Sequence, residues 1–488
     1  MRTSIIGAGI GGLAAAIRLA VAGDEVTVWE KNPEPGGKIS ELRMGPYRFD
    51  TGPSLLTLPD LAGELFTLCG ERMEEHLPMR RLDASCRYFY PDGSGFTFYH
   101  DRQKLMRELS EQGFAGWPSI GRRLAAAREA YELSAPVFLF NDFRPFTQFN
   151  TPPYRRIAAT PGKLDFLRTM HGANRRDFSD PRLIQLFDRY ATYNGSSPYR
   201  APATLNMIAH LEHNLGAWFP ENGIHSIARE LYGLACRQGV RFRFSSPVEK
   251  IAVQEGEAVG LCAGGRLVRC ERVVSDVDVR YLADHLLEKH PLRRRLRRAE
   301  PSSSALIFYW CVEREFPQLG LHNVFFSGDY GAEFRHLFRA GEMADDPTVY
   351  LFISSKAVAG DAPLGCENWY AMVNAPADRG QDWKRLVERT RELVLRKLGG
   401  ALGADVRRCI ASERVCTPPD IEAQTMSACG ALYGASSNSP LAAFLRHPNR
   451  LAAVRNLYFV GGSVHPGGGI PLCLASARIV CDRIAAGR

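Results

Sequence analysis

An α/β fold is predicted, with one parallel sheet assembled from the two ends of the chain and an α+β segment inserted between them. Two observations carry this. Near the start, a strand runs into a glycine-rich turn, a helix and a second strand. Near the end, another strand runs into a second glycine-rich turn and a terminal helix. Residues from about 80 to 200, between them, are patterned differently and do not read as part of that fold.

The first unit begins with the β-prone run Thr3–Ile6, followed by Gly7-Ala8-Gly9-Ile10-Gly11-Gly12, with Leu13, Ala16, Ile17 and Ala20 at helical spacing. Glu25–Glu30 then alternates β-formers as a second strand. In this context Gly7 permits the tight turn, Gly9 lets backbone approach a pyrophosphate, and Gly12 lets helix and strand pack closely. The unpaired N–H groups of the helix N-terminus attract that pyrophosphate. Glu30, at the end of the second strand, can accept hydrogen bonds from ribose hydroxyls and repels a 2′-phosphate, which argues against NADP. These are the marks of a Rossmann-like dinucleotide site.

Pro33-Glu34-Pro35-Gly36-Gly37-Lys38 follows at once, and Phe49-Asp50-Thr51-Gly52-Pro53-Ser54 supplies another tight turn. A glycine pair here lets the chain pass close to a large cofactor, and Lys38 can meet phosphate or a flavin. This run resembles the glutathione-reductase-type flavoproteins, in particular their amine oxidase and carotenoid desaturase branch, so it favours FAD over NAD. The strand Asn456–Val460 and the turn Gly461 to Pro471, leading into a helix from Leu472 to Ala486, again present backbone N–H groups to a ligand.

The likeness extends further. The chain resembles bacterial carotenoid desaturases of the phytoene desaturase family nearly end to end, through Phe149–Tyr154, Tyr190–Ser196, Phe219-Pro220, Asp346–Tyr350, Glu367–Tyr370 with Val373–Pro376, and the C-terminal turn. It departs from the common form of that turn at Gly462, Ser463, Val464 and Gly468, and has Asn222-Gly223-Ile224-His225 where Gly-Gly-Met is usual. The turn as written is closest to the branch acting on 1-hydroxylated acyclic carotenoids at the 3,4 bond. The resemblance implies a cofactor-binding set of Gly7, Gly9, Gly12, Glu30, Lys31, Gly36, Gly37, Lys38, Gly52, Pro53, Ser54, Val248, Asp276, Gly461, Gly462, Gly469, Ile470 and Pro471. In it the Val248 backbone meets the adenine, and the C-terminal turn lies against the flavin.

The implied organisation is a discontinuous FAD-binding domain (1–80, 215–280 and 416–488), a substrate and helical membrane-contact region (81–214), and a further substrate domain (281–415). The middle opens with a hairpin, Tyr88–Tyr90 and Phe96–Tyr99 about Pro91–Gly95. Pro136–Phe140, then Phe143, Phe146 and Phe149 among Arg144, Arg155 and Arg156, interleave aromatic and basic residues in a way that suits docking on a bilayer. The competing reading is a helical subdomain packing its own core. A helix at Ser226–Arg237 and strands at Val240–Phe244, Pro247–Ile251 and Val273–Asp276 return to the cofactor fold, and strands at Ala305–Val312 and Thr348–Ile353 follow.

Composition narrows the class. With 488 residues, 45% apolar and 23% charged, the chain is globular and larger than one ordinary domain. A net charge of +8 without dense basic patches argues against a nucleic-acid partner and is compatible with an anionic lipid surface. The 12 cysteines are scattered, with no C-x-x-C, and read as buried thiols in a reducing compartment. Residues 5–22 resemble a signal-peptide core only superficially, because their glycines fall at dinucleotide spacing and no cleavage site follows. No run of about 18 apolar residues is present, so no spanning helix is expected. His210-x-x-His213 has metal-site spacing but no accompanying ligand cluster, and no metal is expected. The basic run Arg293–Arg298 reads as a solvated helix face.

The activity implied is FAD-dependent carotenoid desaturation: hydride from a C–H beside the polyene to the oxidised flavin, and a proton to a base or water. Oxygen or a quinone would reoxidise the flavin. The substrate is lipophilic, which places the protein in the cytoplasm, attached peripherally to the inner face of the cell membrane. No catalytic residue is assigned; His225 and His465 lie near the relevant turns, with structural roles as an equal alternative. Phytoene desaturation, flavin amine oxidation and flavin binding without turnover remain alternatives. An aromatic cage and a short wet pocket would mark the amine oxidase, and an apolar channel to the flavin the desaturase.

Overall fold

The computed structural model of the chain describes residues 1–488 apart from 115–116, 143–150, 288–290, 440–441, 443–445 and 488. Its first sheet draws strands from three separated stretches. The order runs Val248–Gln254, Glu257–Ala263, Val454–Phe459, Arg272–Ser275, Arg2–Ile6, Glu25–Trp29, Arg241–Arg243. All pairings from Glu257–Ala263 to Arg241–Arg243 are parallel. The N-terminal strand and the C-terminal strand therefore both flank Arg272–Ser275, from the middle of the chain.

Helices cover this sheet. Ile10–Val21 packs against Ile470–Ala486 and against His225–Arg237. The first helix can lie so close because its inner face is Gly11, Gly12 and Ala14–Ala16, all buried. Gly12 is the tightest point: a Cβ there would stand 2.1 Å from the Gly7 carbonyl oxygen. Gly7 itself has φ +96°, a conformation that glycine adopts without steric cost.

The second sheet has seven strands in the order Ile410–Cys416, Ser304–Val312, Glu367–Ala375, Val349–Ile353, His322–Phe325, Ala84–Phe89, Gly95–Tyr99. It is antiparallel except where His322–Phe325 meets Ala84–Phe89. Alternation splits its side chains between two faces, as a strand's period of two requires. Leu306, Phe308, Trp310 and Val312 pack with Trp369 and the helix Trp383–Leu402. Ala305, Ile307 and Tyr309 point the other way and join the core shared with the first sheet.

A buried ion network fastens the two sheets. Arg48, on the hairpin strand Tyr47–Thr51, pairs with Asp50 at 2.7 Å, with Asp361 at 3.1 Å, and with Glu41. Asp50 in turn accepts the backbone N–H groups of Ile224 and His225, both at 2.9 Å, at the start of the His225–Arg237 helix. Asn368, on a strand of the second sheet, donates to the Arg48 carbonyl at 2.5 Å. One guanidinium thus faces three carboxylates, two on its own hairpin and one from a distant segment, and together with the N–H donors to Asp50 it makes their burial tolerable.

The aromatic hairpin predicted from Tyr88–Tyr99 is present, with Tyr88, Tyr90, Phe96 and Phe98 buried. In the interleaved aromatic and basic stretch, Val137 and Leu139 are buried and Phe138 and Leu139 border an internal cavity, so this part faces inward rather than toward a bilayer. Phe143, Arg144, Phe146 and Phe149 lie outside the described residues. The helix Leu292–Arg297 is solvated, and Arg293 and Arg297 both donate to Asp284 at 2.9 Å. The cysteine reading needs correction: only Cys86, Cys270, Cys311, Cys416 and Cys481 are buried, six others are partly exposed, and Cys236 is exposed because it falls on the outer face of its helix. Among the described residues, no helix is long and apolar enough to cross a membrane.

Replacing Arg48 with Met, which keeps the bulk of the stem, should cost about 3–5 kcal/mol of unfolding free energy by leaving buried carboxylates unpaired. A denaturant titration of the two proteins checks this.

Candidate functional site

A single cavity of about 850 Å³ runs between the two sheets. It is bordered at one end by Gly9, Glu30 and Val248, in its middle by Gly37, Lys38, Gly469 and Pro471, and on the second sheet by Ile307, Tyr350, Tyr370 and Met372. The helices Ile10–Val21 and Ile470–Ala486 both begin on this cavity, at Gly9 and Gly469, and neither start is capped by a side chain. Uncapped N-termini leave N–H donors and a partial positive charge facing the space. Two such ends converging on one cavity suit an anionic ligand.

Of the residues singled out from sequence, Gly7, Gly9, Glu30, Lys31, Gly36, Gly37, Lys38, Gly52, Pro53, Ser54, Val248, Asp276, Gly462, Gly469, Ile470 and Pro471 all border the cavity. Gly12 and Gly461 lie behind its wall. Gly12 serves the close helix–strand packing, and a Cβ on Gly461 would stand 2.1 Å from an Asp276 carboxylate oxygen. Glu30 is buried and accepts the N–H groups of Ala8 and Asn32, both at 2.8 Å, so its carboxylate ties the second strand to the glycine turn. The Lys38 ammonium donates to the Leu432 carbonyl at 2.5 Å, and burial lowers its pKa against the pull of Asp278. Lys31 donates to the Ala423 carbonyl.

Asp276 stands at the end of the strand Arg272–Ser275, among the glycines of both turns. Its exposed surface belongs to the cavity. Burial pushes its pKa up to about 7; the Gly12 N–H and Lys38 favour the charged form, while Glu30 opposes it.

A second polar group borders the same cavity farther along and was not visible in the sequence. Arg189 is buried and donates to Glu212 at 3.1 Å and to the Tyr88 hydroxyl at 2.9 Å. Glu212 also accepts from the hydroxyls of Tyr190, at 3.3 Å, and Tyr193. Burial alone would raise the Glu212 pKa, but Arg189 and His213 outweigh it and hold it at about 2. Glu212 sits in a π-helical turn, His210–Leu215, a backbone form frequent at functional sites. Next to this group, Ser54 and the Tyr350 hydroxyl are 2.5 Å apart, and Tyr350 is 2.8 Å from His322 Nδ1. Burial depresses the His322 pKa to about 4, so the ring is neutral at physiological pH.

The histidines singled out from sequence all have partners in the protein. His213 is buried, stacks on Phe98 at 3.6 Å and bonds Tyr190, while His210 contacts Asn214 at 2.8 Å. Among the described residues, no group of three or more potential ligands could hold a metal ion. His465 Nε2 meets the Asn141 carbonyl at 2.9 Å. His225 lies 3.9 Å from Glu41, beside the Arg48 network. The one sequence trace of the Arg189–Glu212 pair was a lone arginine inside the aromatic run Phe187–Tyr193.

The donor set fits a flavin dinucleotide. A Cβ at Gly37 would stand 3.2 Å from the Gly9 Cα, so the backbone itself forms the cradle, and Glu30 lies where an adjacent ribose would offer hydroxyls.

Comparison with known proteins agrees. Residues 10–485 match the family described as flavin containing amine oxidoreductase. The chain is 43% identical, over 98% of both chains, to a Flavobacterium protein (strain P99-3) named 1-hydroxycarotenoid 3,4-desaturase. It is 34% identical to a 4,4'-diapolycopene oxygenase of Methylomonas, over 99% of this chain and 98% of that one. Among solved structures, an oxidoreductase from Methanosarcina mazei matches with a TM-score of 0.66 at 16% identity, covering 99% of this chain and 100% of the other. Cyclohexylamine oxidase from Brevibacterium oxydans matches at 0.62 and 15%, covering 100% and 99%. At those identities the structures speak for the fold.

The Asp276 carboxyl makes stability depend on pH in a stated direction. Between the ordinary carboxylate value near 4 and about 7, the folded protein holds a proton that the unfolded chain has released. Stability of the ligand-free protein should therefore fall as pH rises across that window, by at most about 1.4 kcal/mol per pH unit. Asp276→Asn should remove this component, as read from denaturant midpoints at several pH values.

Proposed function

The chain belongs to the flavin-containing amine oxidoreductase family, and from that premise we propose that it is an FAD-dependent carotenoid desaturase acting on CH–CH groups. Its reaction, in this reading, is 3,4-desaturation of a 1-hydroxylated acyclic carotenoid during carotenoid biosynthesis. The observation that carries the reading is the end-to-end similarity to the Flavobacterium desaturase. The cavity agrees with it: one space joins both glycine turns to an apolar floor on the second sheet, as an elongated hydrocarbon requires.

Bound FAD supplies a two-electron acceptor able to take a hydride from a C–H bond. The chain's own residues bind and orient. Gly9, Gly37 and the open start of the first helix would hold the pyrophosphate, Glu30 the ribose, and the Val248 backbone the adenine. Gly52, Pro53, Ser54, Gly462, Gly469, Ile470 and Pro471 would close around the flavin, with Lys31, Lys38 and Asp276 setting the charge nearby. In domain terms, 1–80, 215–280 and 416–488 form the cofactor half, and 81–214 with 281–415 the substrate half. Ile307, Met372 and Val324 on the sheet floor would align the hydrocarbon and exclude water. Excluding water matters because a charge developing on the chain would otherwise be open to side reactions.

A carotenoid resides in the bilayer, so the protein would sit peripherally on the inner face of the membrane and pass electrons to oxygen or a quinone. Exposed Arg155 and Arg156, with the 97% exposed Leu167 nearby, suit an anionic lipid surface.

The test presents liposomes containing either phytoene or a 1-hydroxylated acyclic carotenoid to the FAD-loaded protein with an electron acceptor. A lengthened chromophore from the hydroxylated substrate alone is expected. Conversion of phytoene would move the assignment to phytoene desaturation, and conversion of neither would overturn the carotenoid reading. In parallel, Gly9→Val should purify without the yellow flavin absorbance, since its side chain would run into the Asp276 carboxylate 2.4 Å from the Cβ position.

A further inference from the structure

We propose that Arg189, His322 and Tyr330 form a hydroxyl-recognition pocket in the cavity wall, which receives the 1-hydroxyl of the substrate and sets the preference for hydroxylated chains. This rests on the desaturase reading above and names the residues that would make it selective.

Three buried polar atoms have no hydrogen-bond partner: Arg189 Nε, His322 Nε2 and the Tyr330 hydroxyl. All three residues are at most 8% exposed, and all three border the cavity. Arg189 is close enough for its charge to act on both His322 and Tyr330. Leaving a buried polar group unsatisfied costs about 1–3 kcal/mol. A plain hydrocarbon in this part of the cavity would leave all three unsatisfied. An alcohol can do what a hydrocarbon cannot, because it donates one hydrogen bond and accepts others.

The local chemistry supplies both halves of that exchange. His322 is neutral, and its Nδ1 is already engaged with Tyr350 at 2.8 Å, so Nε2 is the nitrogen left without a partner. Arg189 is oriented from behind by Glu212 and Tyr88, and its Nε–H can only donate. Tyr330 can do either. A substrate hydroxyl can thus donate to His322 and accept from Arg189 or Tyr330.

Position fits the reaction as well. The 3,4 bond begins two carbons from the hydroxylated carbon, so the recognition site must lie near the reacting bond and not at a far end of the cavity. Hydrogen bonds link it to the Gly52–Ser54 loop on the cofactor side: Ser54 to Tyr350 at 2.5 Å, then Tyr350 to His322. Sites built to hydrogen-bond a substrate hydroxyl reject the analogue lacking it strongly, by ~10⁴-fold or more where the match is complete.

The test measures kcat/KM of the FAD-loaded protein in liposomes for a 1-hydroxylated acyclic carotenoid and for the same chain without the hydroxyl. Wild type should prefer the hydroxylated substrate at least tenfold. Tyr330→Phe removes one oxygen that has no partner in the protein, so folding is not at stake, and the preference should fall at least tenfold. His322→Phe keeps a ring against Phe352, where the present ring stacks at 5.3 Å, and should reduce the preference likewise. Equal turnover of both substrates by wild type overturns the proposal while leaving the desaturase reading standing. The same holds if both variants keep the wild-type preference. Turnover of neither substrate by wild type overturns both.

Discussion

The close approach of three distant chain segments around the Asp276 carboxylate is the constraint on which the molecule is built. A Cβ would stand 2.4 Å from that carboxylate at Gly9, 2.6 Å at Gly11 and 2.1 Å at Gly461. Residues from the beginning, the middle and the end of the chain can meet there only as bare backbone. This contact aligns the strands on either side of Arg272–Ser275 and brings two helix starts to one cavity. It also places a carboxyl group where the helix ends favour negative charge and burial opposes it. The raised pKa of Asp276 follows from burial, reinforced by Glu30 and only partly offset by the Gly12 N–H and Lys38.

The second anchor is the Arg48 network. The first contact brings the two glycine turns to the cavity, and this one ties the hairpin Tyr47–Thr51 to the second sheet. Asn368 comes from the second sheet and Asp361 from the connection between two of its strands, Asp50 grips the start of the His225–Arg237 helix, and Arg48 lies between them. The cavity therefore has two walls, each tied to the other by buried charge rather than by apolar contact alone. Such ties are directional, and they specify the spacing of the walls more sharply than hydrophobic packing does.

Much of the fold was legible because backbone demands leave marks on composition. Gly7 to Gly12 announced a turn and a helix start, and Gly461 to Gly469 announced their counterpart. Strand alternation revealed the aromatic hairpin, and the strand expected at Ala305–Val312, a continuous apolar run, is present as Ser304–Val312. What could not be read was the order of strands in the second sheet, where a parallel pairing joins Ala84–Phe89 to His322–Phe325 across nearly half the chain. The polar pocket was hidden for the same reason. Arg189, Glu212, His322 and Tyr330 share no spacing, and their relation exists only once the sheet and the π-helical turn have formed. The inward direction of Phe138 and Leu139 was equally hidden, since an aromatic run looks the same whether it faces lipid or a cavity.

The placement of Arg272–Ser275 between two partners also governs how the protein is made. On the ribosome this strand emerges beside its N-terminal neighbour long before Val454–Phe459 exists, a delay of roughly 10 to 35 s at ~5–20 residues per second. Through that interval one edge of a central strand offers open hydrogen-bonding groups, and apolar side chains such as Val273 and Val274, fully buried in the finished protein, have no cover on that side. The nascent chain is thus exposed to wrong pairing for more than a third of its synthesis, and its native topology has high contact order. Protection by chaperones, or early occupation of the half-built site by a ligand, would matter more for this protein than for one whose domains are completed in sequence.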